Sequence, residues 1–63
     1  MVKISKKLAG CYINCLPRAA RRQFENELVA MVKNGNLTRQ QSVEAMCCRV
    51  QDLEDTVNIQ YME

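Results

Sequence analysis

The residues best able to do chemistry here are four thiols, Cys11, Cys15, Cys47 and Cys48, in a chain of 63 residues without histidine. Set two and two, they invite a four-thiolate zinc site. Structural zinc sites usually present their ligands from turns, spaced two to four residues apart. Cys11 and Cys15 instead stand one helical turn apart on one face. Cys47 and Cys48 are adjacent, and on a helix their side chains diverge by about 100°. No metal and no cofactor is expected. A bridge between neighbouring cysteines is strained, and a reducing cytosol disfavours disulfides generally. A link from the first pair to Cys47 is the one that side-by-side helices would permit. Free cysteine behaves as a small hydrophobe, so Cys11 and Cys15 are read as core thiols, with Cys47 flanking the core. Cys48 falls opposite the core in heptad terms, in line with Gln41 and Asp55, and is assigned to an interface.

Other chemistries fall away quickly. Without histidine there is no Ser-His-Asp or Cys-His arrangement. Two glycines, Gly10 and Gly35, make no phosphate-binding loop. Asp52, Glu54 and Asp55 are read as a solvated helix back, with no sign of a pocket to tune them. An enzyme is not expected.

The elements that would position these residues are read from apolar spacing. Ile4, Leu8, Cys11 and Cys15 recur at +4, +3, +4, one face of a helix over about 3–16. Pro17 ends that helix and opens the next, where its missing amide donor is harmless. A second helix over about 17–33 aligns Ala20, Phe24, Leu28, Met31 and Val32. Asn34-Gly35-Asn36 stops it, and Thr38 followed by Gln41 forms a capping box. A third helix over about 38–56 would align Val43, Met46, Val50, Leu53 and Val57. The expected fold is all-α, a single small three-helix domain over 1–63, its last two helices forming a helical hairpin. In the tail, 57–63, Val57, Ile59 and Tyr61 alternate with polar residues, so it is read as extended or frayed.

Charge is divided along the chain. Residues 1–22 carry Lys3, Lys6, Lys7, Arg18, Arg21 and Arg22 and no acid, a local charge of +6. Residues 41–63 carry Glu44, Asp52, Glu54, Asp55 and Glu63 against Arg49, a local charge of −4, and the whole chain carries +2. Such a split suits an interaction surface or head-to-tail pairing, unless the two segments lie side by side and neutralise each other. Leu8-Ala9-Gly10-Cys11 matches a lipoprotein cleavage tetrapeptide. The ten residues through Gly10 include three lysines and no apolar core of a signal peptide, so the match is read as chance. With no long apolar run, no membrane contact is expected and a cytoplasmic location is.

These readings favour a small non-enzymatic protein-binding module that masks or bridges a partner macromolecule. Its size suits a virus- or mobile-element-encoded inhibitor or regulator. The candidate protein-contacting residues are Arg18, Arg21, Arg22, Cys48, Ile59 and Tyr61. One alternative is a helix-turn-helix-like nucleic-acid-binding regulator, with Lys3, Lys6, Lys7, Arg39 and Gln40 contacting phosphates and bases. Another is a structural homo-oligomerisation module, a homodimer in its simplest form. A chain of 63 residues with only Tyr12, Phe24 and Tyr61 as aromatics has a thin core, which favours such association.

Overall fold

Val2 and Ile4 alternate with Lys3 and Ser5, and Ile59 and Tyr61 alternate with Gln60 and Met62. Period two is the spacing of strands whose sheet is buried on one face. In the computed structural model, which describes residues 1–62, these stretches pair. Strand β1 (Val2–Ser5) and strand β2 (Ile59–Met62) form a two-stranded parallel sheet, in register from Val2↔Ile59 to Ser5↔Met62. Between them run 3-10 turns at Lys6–Leu8 and Ile13–Cys15, helix α1 (Arg18–Lys33), helix α2 (Arg39–Ala45) and a 3-10 turn at Val50–Leu53.

The sheet has one closed edge. The Val2 N–H donates to the Asn58 carbonyl at 2.8 Å, so Val2 and Ile4 turn their backbone groups toward β2 and Lys3 turns its own away. The Gln23 side chain, reaching from α1, takes both. Its Oε1 accepts from the Lys3 N–H at 3.0 Å, and its Nε2 donates to the Lys3 carbonyl at 3.0 Å. A primary amide thus stands in for the missing neighbour strand, satisfying groups that would otherwise be left bare.

The fold is therefore mixed, two α-helices and a small parallel sheet, and the all-helical three-helix expectation is corrected. Residues 3–16 are not a helix. Ser5, Tyr12 and Leu16 are extended, with ψ of 136°, 143° and 155°. Sheet pairing leaves Val2 at 0% and Ile4 at 2% exposure, and the following turns bury Ile13 and Leu16. A helix with Ile4, Leu8, Cys11 and Cys15 inward would have placed Ile13 and Leu16 off that face. The expected helix over 38–56 ends at Ala45, and Arg49 is extended, with φ −77° and ψ 157°. Extension there lets Val50 N–H reach the Cys11 carbonyl at 3.0 Å and Gln51 N–H reach that of Ala9 at 2.9 Å. These long-range bonds replace the intrahelical ones and bury Val50, Leu53 and Val57 by another route. With α2 only seven residues long, no helical hairpin forms. The 57–63 alternation leads into β2, and its last position lies outside the described residues.

Local chemistry sets the helix ends. Gly35, at φ +78°, follows α1 in the left-handed region, and the N–H groups of Gly35 and Asn36 return to the carbonyls of Val32 and Met31. Thr38 accepts from the Gln41 N–H at 3.1 Å, while Gln41 accepts from the Thr38 N–H at 2.9 Å. Phe24 and Leu28, one turn apart on α1, close the core against Val2, Ile4, Ile13, Leu16, Ala45, Val50, Leu53 and Val57.

Two outcomes check this account. Gln23→Ala strips Lys3 of both partners, a loss of about 1–3 kcal/mol at typical hydrogen-bond values, measured by urea denaturation. Thr38→Ala removes the cap and costs about 1 kcal/mol in the same assay, without exposing the sheet.

Candidate functional site

Two apolar side chains on the helices are not used by the core. Val29 is 52% exposed on α1 and Val43 is 66% exposed on α2. They line a single cleft between the two helices with Leu28, Val32, Ser42 and Met46, of about 370 Å³, its rim carrying Glu25, Lys33 and Arg39. The turn at Gly35 makes this shape, because it brings α2 back beside the second half of α1. Glu25 is engaged by Arg21 at 3.7 Å in an exposed i,i+4 pair. Lys33 and Arg39 have no ion-pair partner among the described residues. The cleft is thus apolar at its floor and cationic on one side.

The residues singled out from sequence do not gather in one place. Arg18 and Arg22 line a second, shallow cleft on α1 with Ala19, Gln23 and Asn26. Arg21 turns toward Glu25 instead. Lys3 lies next to that second cleft through its bonds to Gln23. Lys6 and Lys7 sit exposed on the turn after β1, and Arg39 and Gln40 open α2, where the Gln40 amide donates to Glu44 at 3.4 Å. Ile59 and Tyr61 are half-buried on β2, on the face that carries Val2 and Ile4. Cys48, read as outward, is instead half-buried against the core, its thiol directed at the Glu44 carbonyl at 3.6 Å.

All four thiols are free; of the three expected inside or beside the core, Cys11 is half-buried against it, whereas Cys15 and Cys47 are exposed. They occupy segments that meet through an antiparallel bridge between Tyr12 and Arg49, with the Arg49 guanidinium 5.2 Å from the Tyr12 ring centre. Among the described residues no group of three or more Cys, Asp or Glu side chains converges in a way that could hold a metal ion. The basic and acidic segments lie side by side through the sheet and the turns, but no ion pair among the described residues joins them. The ion pairs among the described residues are Arg21–Glu25 and the N-terminal amine with Glu27, and neither joins the two segments. No helix among the described residues is long and apolar enough to cross a membrane.

Sequence reading overlooked Val29 and Val43 as a pair. Val29 and Val32 do form a short second stripe beside Phe24 and Leu28, which was the available signal. Val43 was hidden because a longer third helix would have turned it inward.

Tyr61 carries the perturbed group of the fold. Burial of its hydroxyl, and then the Glu54 carboxylate that accepts a hydrogen bond from it and repels a phenolate, push it from 10.0 up to about 12. The unfolded chain ionises this tyrosine near 10 while the folded chain holds the proton. The stabilisation is accordingly whole below pH 10 and lost as pH rises toward 12. In a Tyr12→Phe background, ultraviolet titration of tyrosinate should find a midpoint near 12, and Glu54→Gln should bring it part of the way back.

No known protein family, curated protein or solved structure matches this chain.

Proposed function

We propose that this chain is a non-catalytic protein-binding module whose docking surface is the cleft between α1 and α2. The observation that supports this reading is the pairing of Val29 and Val43 across that cleft, apolar and open to water at 52% and 66%. Neither side chain adds to the core, and the two stand together on one cleft rather than singly. The cleft suits the apolar stripe of an amphipathic helix, a common mode of groove recognition. Lys33 and Arg39 on its rim, without an ion-pair partner among the described residues, favour a stripe flanked by acidic residues and would set the direction in which it lies. Binding there would mask the partner's own apolar face, which is how a chain this short can act without a catalytic site. Four free thiols, two of them exposed, fit the reducing cytosol, the location we propose.

A photo-crosslinking residue at position 43 should give a discrete adduct with one protein in the cells that express this chain. The same residue at position 19, on the other cleft, should not. Val29→Asp should weaken that partner at least ~10-fold, a little over 1 kcal/mol, while circular dichroism stays unchanged. Adducts arising instead from positions 18 and 22, and removed by nuclease, would overturn this reading in favour of nucleic acid held by the basic half.

A further inference from the structure

The two edges of the sheet are treated differently. On the outer edge of β1, Lys3 has both backbone groups taken by Gln23. On the outer edge of β2 the corresponding groups belong to Ile59 and Tyr61, since the register and the Val2–Asn58 bond turn Gln60 and Met62 toward β1. Among the described residues nothing bonds the N–H or carbonyl of either one.

The core is also unfinished on that side. Val2 and Ile4 are 0% and 2% exposed, whereas their register partners Ile59 and Tyr61, on the same face, stay half-open to water. A parallel sheet ordinarily lies inside a larger sheet with cover on both sides, and a lone pair of strands is marginal. Residues 59–62 contain no charge, no proline and no glycine that would blunt this edge.

We infer that the outer edge of β2 is an interface for a second copy of this chain, the two β2 strands pairing antiparallel about a two-fold axis at Gln60. The choice of a second copy rests on self-complementarity. With Gln60 opposite its own counterpart, Ile59 of one copy faces Tyr61 of the other, twice. Both are the residues whose backbone groups point outward, so each pair exchanges two hydrogen bonds. The same register sets an aliphatic chain against an aromatic ring across the strands, a favourable cross-strand pair, and covers the half-open flank of the core. Neutral side chains throughout 59–62 mean that the two-fold places no like charges opposite each other. The product is a four-stranded sheet in the order β1-β2-β2-β1, its outer edges closed by the two Gln23 amides.

The pairing is independent of the helical cleft and can be tested apart from it. A chain of this length is accessible to chemical synthesis, so single backbone nitrogens can be methylated. Sedimentation equilibrium should give twice the monomer mass for the unmodified chain. Methylation at Tyr61 should return it to the monomer with unchanged circular dichroism, whereas Val43→Asp should leave the dimer intact. If the methylated chain fails to fold, Gln60→Cys decides, in a background with Cys15→Ser and Cys47→Ser. Mild oxidation should then yield a dimer linked through position 60 alone. A chain that stays monomeric at every concentration overturns the inference, including the case where this edge takes a strand from some other protein. So does a dimer that survives methylation at both Ile59 and Tyr61, or a folded Gln60→Cys chain that yields no such link.

Discussion

Strands from opposite ends of the chain have to meet for this fold to exist, and the parallel contact between β1 and β2 is the constraint on which the other elements depend. Closing a loop of this length costs about 3–4 kcal/mol from its length-dependent term, against ladder hydrogen bonds that contribute roughly 1 kcal/mol each. The ladder alone does little more than offset closure. What tips the balance is burial of Val2 and Ile4, each contributing about 1.5–3 kcal/mol when withdrawn from water. That burial needs α1 already in place, because the helix supplies Phe24 and Leu28 beneath the sheet and Gln23 along its edge. Helix and sheet are therefore one cooperative unit. Neither half of the pairing is stable by local propensity.

This dependence explains what could be read from sequence. Along α1 the local signals agree with the packing. Phe24 and Leu28 share a face, Gly35 supplies the left-handed stop and Thr38 with Gln41 supplies the next start, all within a turn or two of chain. Residues 3–16 are different. Ile4, Leu8, Cys11 and Cys15 satisfy a helical period, yet Val2 and Ile4 also satisfy a strand period. The decision lies with Ile59 and Tyr61 more than fifty residues away. No local rule ranks a pairing of that range. The same holds for Arg49, whose extended backbone is stabilised by the bridge to Tyr12 and by bonds from Val50 and Gln51 to the loop before it. The α2 half of the apolar cleft was hidden for a related reason, since a period that carries Val43 inward assumes a helix running on past Ala45.

Cysteine placement follows from the same geometry. A helix would have put Cys11 and Cys15 on one face and treated them alike. The 3-10 turn at Ile13–Cys15 separates them, leaving Cys11 against the core and Cys15 in water. Ile13, which the helical period passes over, becomes fully buried in their place. The bridge between Tyr12 and Arg49 then holds the 11–15 and 47–48 segments together with backbone bonds and a cation over a ring. That junction is complete without any sulfur bond.

The cleft and the open edge of β2 lie on different elements. None of the residues lining the cleft belongs to β1 or β2, so pairing through the edge uses no surface that the cleft needs. An assembly built on β2 would carry two clefts related by the same two-fold. Two sites on one rigid body convert the second binding event into an intramolecular one, wherever the partner is itself repeated or dimeric. A domain this small then gains grip without enlarging either contact. Pairing through β2 would also cover the half-open flank that Ile59 and Tyr61 leave on a thin core.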